Sequence, residues 1–71
     1  MTRVQVCFRL QSPLEERQGA RLAEVHGIYG MLAIRFQEAE NSLTVEYDAT
    51  RLTVEEVALH LRRAGIAVFR D

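Results

Sequence analysis

The amino-acid sequence predicts an α+β sandwich with the element order strand–helix–strand–strand–helix–strand. Three observations carry this prediction. Residues 3–10 alternate apolar and polar side chains, as a strand with one buried face does. Residues 54–64 place apolar side chains at helical spacing, which indicates an amphipathic helix. The chain has 71 residues, so we expect residues 1–71 to form a single small domain with one core.

The first strand and the first helix are predicted from the N-terminal third. Along the strand, the core-facing side chains are Val4, Val6, Phe8 and Leu10. A helix is then expected to start at Ser12, because serine caps helices and Pro13 suits the first helical position. Glu15, three residues after Ser12, would complete a capping box. This helix is expected to reach about His26, before a glycine.

Two strands joined by a polar turn are predicted next. The second strand is expected over about residues 30–37, with Met31 on the face away from the core. Its core-facing side chains are expected to be Leu32, Ile34 and Phe36. Residues 38–42 are polar and favour a turn, and residues 43–47 alternate as a third strand.

The C-terminal third predicts a capped helix and a short last strand. Thr53 and Glu56 form a second capping-box pattern in front of the amphipathic stripe. Gly65 is expected to end the helix, and residues 66–70 to form the last strand.

Right-handed crossovers turn this order of elements into a ferredoxin-like sandwich. Its four strands are expected to form an antiparallel sheet of order 4-1-3-2 with both helices on one face. The predicted core draws on strands and helices alike: Val6, Phe8, Leu22, Ile34, Val45, Val57, Leu61 and Val68.

The charge balance argues against a nucleic-acid partner. Nine basic and ten acidic residues give a formal net charge of -1, which creates no attractive field for phosphate backbones. RNA-recognition domains share the predicted topology but stack bases on aromatic side chains of the central strands. Here the outward positions of those strands are Gln5, Cys7, Thr44 and Glu46. All nine basic residues are arginine, and five of them could form a small cationic patch: Arg3, Arg9, Arg62, Arg63 and Arg70.

Cysteine content and hydropathy bear on the compartment. One cysteine, Cys7, cannot form an internal disulfide, so a cytoplasmic location is expected. No uninterrupted apolar run is longer than that of residues 31–34, far below the ~20 residues of a membrane helix, so membrane insertion is not expected.

Ligand-type and acidic side chains give no catalytic or cofactor site. Cys7, His26 and His60 are predicted on different surfaces, whereas a structural zinc site needs four ligands in one place. The acidic pairs at 15–16 and 55–56 lie in first helical turns, where acids stabilise the helix. We therefore expect no enzyme activity and no cofactor.

Several segments resemble heavy-metal-associated domains. The resembling segments are 26–28, 43–48, 53–56 and 61–68. That family includes small copper chaperones, the periplasmic mercury-binding protein and N-terminal modules of metal-transporting P-type ATPases. The resemblance implies a ferredoxin-like fold and a soft-metal site formed by Cys-x-x-Cys in the loop that enters helix 1.

The chain departs from this family at the metal site. Aligning the first strand places the two cysteine positions on Ser12 and Glu15, and a shift of one residue places them on Gln11 and Leu14. Neither register holds a thiol, and hydroxyl or carboxylate oxygen is a poor ligand for a soft metal ion. We therefore expect no metal site in this loop, and Cys7 is only a weak candidate.

Two classes of function remain open. The first is an interaction or regulatory module that has lost its thiolate ligands and docks on a metal-transporting ATPase, a sister domain or a second copy. The second is a metal or small-ligand carrier that uses non-standard ligands, for example Cys7 across a homodimer.

Overall fold

The structure, a computed structural model, describes residues 2–70 and follows the predicted order of elements. The elements are β1 (Arg3–Leu10), α1 (Glu16–His26), β2 (Met31–Gln37), a 3₁₀ turn (Glu38–Glu40), β3 (Ser42–Asp48), α2 (Val54–Arg63) and β4 (Val68–Arg70). The strands form one antiparallel sheet in the order β2-β3-β1-β4. This order is the predicted 4-1-3-2 read from the opposite edge.

The core lies between the sheet and the helices. Phe8 from β1 and Leu61 from α2 are both fully buried in one apolar cluster, which confirms the predicted phase of the first strand. Six of the eight predicted core residues are buried: Val6, Phe8, Val45, Val57, Leu61 and Val68. The other two, Leu22 and Ile34, are half-buried and pack against the cluster from its margin.

Helix α1 begins three residues later than the sequence predicts. Its first residue is Glu16 and its N-cap is Glu15, so the predicted Ser12–Glu15 capping box is wrong. Proline after Ser12 is compatible with a helix start there, so the local pattern does not explain the shift. Leu14 is half-buried against the core, and this contact delays the helix until the chain has passed it.

Strand β2 contains an irregularity that the alternation pattern did not reveal. Met31 pairs with Tyr47, and Ala33 pairs with the next residue, Glu46, so β2 carries one extra residue between these pairs. A bulge of this kind shifts the side-chain phase. Met31 is consequently buried in the core, and its predicted outward position is wrong.

The start of α2 forms as predicted. The Glu56 N–H donates to Thr53 Oγ1 (3.2 Å), and the Thr53 N–H donates to Glu56 Oε1 (2.9 Å). Past the helix, Gly65 adopts a left-handed φ of +85°, and Ile66 is buried although β4 begins only at Val68.

Candidate functional site: the loop between β1 and α1

The loop that enters α1 is anchored at both ends and exposed between them. At its start the Gln11 N–H donates to the carbonyl of Ala67 (3.2 Å). At its end Leu14 packs against the core. Ser12 and Pro13, between these anchors, are exposed. The two anchors fix the path of the loop, so this stretch presents its side chains to solvent.

Glu15 is committed to the helix start rather than to Ser12. Its backbone N–H donates to Gln18 Oε1 (2.7 Å), and the Gln18 N–H donates to the Glu15 carbonyl (3.0 Å). The Glu15 carboxylate accepts from Arg17 Nε at 3.2 Å. The hydroxyl of Ser12 takes no part in this arrangement. The loop therefore offers an isolated hydroxyl and an already paired carboxylate.

This donor set does not suit a soft metal ion. The side chains at the two candidate ligand positions, Ser12 and Glu15, carry only oxygen ligands, whereas cuprous ion prefers thiolate or thioether sulfur. Among residues 2–70, no group of three or more His, Cys, Asp and Glu side chains comes together to hold a metal ion.

The three soft-ligand side chains lie on separate surfaces. Cys7 is half-buried, pairs with Thr44 across the sheet and faces away from the core, as predicted. His26 is exposed in the last turn of α1, and His60 is half-buried on α2. Because the helices cover the opposite face of the sheet, the backbone sheet separates Cys7 from both histidines.

Asp48, the last residue of β3, is the centre of a group of hydrogen bonds. Its Oδ1 accepts from the Thr50 hydroxyl (2.7 Å), the Thr50 N–H (3.0 Å) and the Thr2 N–H (3.2 Å). These bonds, led by the one from the Thr50 hydroxyl, lower the pKa of Asp48 below its usual value. Arg51 pairs with the same carboxylate at 3.7 Å and lies 4.2 Å from the centre of the Tyr29 ring. This arrangement ties the β3–α2 connection together.

A cationic cleft lies between the two helices, and sequence reasoning missed it. Its volume is about 360 Å³, and it is lined by Arg17, Gln18, Arg21, Arg63, Ala64 and Gly65. The sequence carried a partial signal, since residues 17 and 21 are four apart and share a helix face. That Arg63 joins them depends on how α2 packs beside α1. Arg62, its neighbour in the sequence-based patch, instead donates to the carbonyl of Val68 (3.2 Å).

Known structures share this fold over nearly the whole chain. An N-terminal domain of a potential copper-translocating P-type ATPase from Bacillus subtilis, in its Cu(I)-loaded state, superposes with a TM-score of 0.81 at 14% identity, covering 97% of this chain and 88% of that one. Apo-CopP from Helicobacter pylori gives a TM-score of 0.79 at 24% identity, covering 93% of this chain and 100% of that one. The Atx1–Cu(I)–Ccc2a complex gives 0.76 at 13% identity, covering 97% and 94%. Neither a family model nor a curated protein sequence matches the chain.

These likenesses establish the fold. At identities below 25% they do not carry a ligand or a partner across to this chain. In the described part of the chain, no helix is long and apolar enough to cross a membrane.

Proposed function

We propose that this chain is a non-catalytic module of the heavy-metal-associated type that works through contacts with other proteins, in connection with metal transport. The observation that carries the proposal is the β1–α1 loop. All four strands and both helices of the fold are present around this loop, and residues 11–15 contain no cysteine. We align the family's two cysteine positions with Ser12 and Glu15, or, one residue earlier, with Gln11 and Leu14. A domain with this fold and no thiolate pair lacks the chemistry to pass a soft metal ion by ligand exchange.

The kind of partner that we propose follows from the structural relatives. They include the Atx1–Cu(I)–Ccc2a complex and an N-terminal domain of a P-type ATPase. For the present chain we propose a partner of the same kind: a domain of a metal-transporting ATPase, a sister domain or a second copy.

The open face of the sheet is the surface we propose for pairing between copies. Its apolar side chains are the half-buried Cys7 and Ala33, the exposed Ala67, and Phe69, which is 43% exposed. Phe69 and Cys7 lie on the neighbouring strands β4 and β1, whereas Ala33 lies on the far edge strand β2. Arg9 pairs with Phe69 across β1 and β4, so the aromatic ring has a cationic neighbour position on the same face. Partial exposure of an aromatic ring beside smaller apolar groups is typical of interaction surfaces rather than of plain solvated strands.

A competition titration with cuprous ion and a chelator tests the loss of the metal site. The wild type is expected to show no submicromolar binding, because its loop offers only oxygen ligands. The variant Ser12→Cys/Glu15→Cys is expected to bind, because it restores two thiols at the proposed positions. Submicromolar binding by the wild type would contradict the proposal. Its loss in Cys7→Ser would then favour a carrier that pairs two Cys7 side chains across a dimer.

Sedimentation tests the pairing surface separately. At high micromolar concentration the chain is expected to exceed its monomer mass of 8.1 kDa, and Phe69→Ser is expected to return it to a monomer. The matched control is Leu59→Ser, because Leu59 is also 43% exposed but lies on α2. A monomer at every concentration would exclude a second copy as the partner and leave the ATPase or sister domain.

A further inference from the structure

The cleft between the helices gathers three guanidinium groups from two separate elements. Arg17 and Arg21 lie one turn apart on α1, and Arg63 comes from the last turn of α2. All three line the same space of about 360 Å³. In a chain with a formal net charge of -1, this is a local concentration of positive charge that the overall composition does not require.

The position of Arg17 runs against helix stability. It is the second residue of α1, where the helix dipole is positive and where acidic side chains stabilise the helix. A cation there adds to the positive potential of the helix end instead of compensating it. Arg63 suits its own helix end, and it also lines the same cleft. The three arginines therefore line one space, and the acidic side chains nearest to them at the start of α1 are Glu15 and Glu16.

The acidic neighbours leave these groups available to a ligand. Arg17 pairs with Glu15 at 3.2 Å and Arg21 with Glu24 at 3.9 Å, and all four side chains are more than half exposed. Exposed pairs of this kind are weak, so an anion in the cleft can share or replace them. Within residues 2–70, Arg63 forms no ion pair.

A hydrogen bond joins the two sides of the cleft. The Gln18 side-chain amide donates to the carbonyl of Gly65 at 3.2 Å. This bond occupies the carbonyl oxygen, and it links α1 to the end of α2 on the cleft itself. The distance between the two helices at this point is therefore held before any ligand arrives, which reduces the ordering cost of binding.

We propose that this cleft binds a small molecule that carries a diphosphate group. Each guanidinium presents five N–H donors. Three guanidinium groups together therefore carry more donors than the two oxygens of a single carboxylate can accept. Linked phosphate groups supply more acceptor oxygens and more charge, and guanidinium forks match phosphate geometry. The cleft volume lies at the lower end of small-molecule sites, which span about 300–1,000 Å³.

Titration of the full chain with inorganic pyrophosphate at low salt, followed by amide NMR shifts, tests the proposal. We expect a Kd below about 1 mM, with shifts concentrated at residues 17–21 and 63–65. Arg63→Gln and Arg21→Gln are each expected to weaken binding about tenfold or more, because each removes a charge-assisted hydrogen bond. Arg35→Gln is the matched control: it removes the same charge from the open sheet face and should leave the Kd unchanged.

A parallel titration with ADP distinguishes the two sources of a diphosphate. Tighter binding of ADP than of pyrophosphate identifies a nucleotide as the ligand, and the reverse identifies the free diphosphate; either result supports the site. The absence of saturable shifts up to about 10 mM would overturn the proposal. Equal weakening by Arg35→Gln, or tighter binding of a glutamate-rich peptide than of pyrophosphate, would also overturn it. The readout does not depend on any protein partner or metal, so its failure leaves the proposed interaction function untouched.

Discussion

Each of the two helices begins at a capping box, but the helices differ in how much they bury. Helix α2 begins with a reciprocal capping box between Thr53 and Glu56, next to the hydrogen-bonded Asp48. It also buries three side chains: Val57, Ala58 and Leu61. Its start and its packing therefore support one another.

Helix α1 is held much more loosely. It buries one side chain, Val25, and its interior contains Gly19, which lowers helix propensity. Its start at Glu15 is exposed, and the loop before it presents Ser12 to solvent. Because α2 and the sheet bury most of the core side chains, most of the stability of this fold lies there. The loop before α1 therefore contributes little to the stability of the fold, and its sequence can vary without loss of the fold.

The largest expected effect is on the free energy of unfolding, when the same substitution is made in α2 and in α1. Leu61→Ala in α2 should cost about 3 kcal/mol or more, because Leu61 is fully buried and its truncation leaves a cavity. Phe8→Ala in β1 belongs to the same class. Leu22→Ala in α1 should cost about 1 kcal/mol, because its side chain is only half-buried at the margin of the core. Urea unfolding measures the free energy of unfolding of each variant. Equal losses for Leu61→Ala and Leu22→Ala would contradict the comparison.

The helix starts give the next effect. Thr53→Ala should lower the free energy of unfolding by about 1 kcal/mol, because the Glu56 N–H loses its acceptor. Ser12→Ala should change it by less than about 0.5 kcal/mol, because Ser12 lies outside the cap of α1. Thermal and urea midpoints of the two variants provide the measurement. A loss near 1 kcal/mol for Ser12→Ala would show that the helix in solution starts at the residue the sequence indicates.

A glycine pair tests whether α1 can be improved. Gly19→Ala should stabilise the protein by about 0.5–1 kcal/mol, because a Cβ there meets nothing within 4 Å and alanine is the better helix former. Gly65→Ala is the contrasting variant, since a φ of +85° strains any residue with a side chain. It should therefore destabilise the protein. Stabilisation by both substitutions would mean that the chain after α2 does not require a left-handed residue.

The last prediction concerns Asp48 and the pH dependence of stability. Because its folded pKa is lowered, the stability it contributes is present above its unfolded pKa of about 3.9 and is lost as the pH falls through the folded pKa. The wild type should therefore lose stability below about pH 4, and Asp48→Asn should flatten this acid limb. Urea midpoints between about pH 2 and pH 7 provide the measurement. Glu15→Gln, which removes an exposed carboxylate, should retain the wild-type limb.

The sequence by itself determined the elements, the sheet order and most of the core. Strict alternation sets the phase of β1, so the pattern alone assigns Phe8 to the inside and Cys7 to the outside. The Thr53–Glu56 pair also formed as expected, because a capping box is a local interaction over four residues. That residues 11–15 contain no cysteine is likewise read from the sequence alone.

Only the tertiary structure decided the features that depend on distant contacts. The burial of Met31 follows from a bulge in β2 that aligns it with Tyr47, and alternation cannot register an extra residue. The start of α1 moved to Glu15 because Leu14 meets a core built by other elements. The cleft joins Arg17 and Arg63 across 46 residues of chain (63 minus 17), and their proximity exists only once the helices pack side by side. Local patterns specify the conformation of a segment, whereas the relation between segments is set by the packing of the whole molecule.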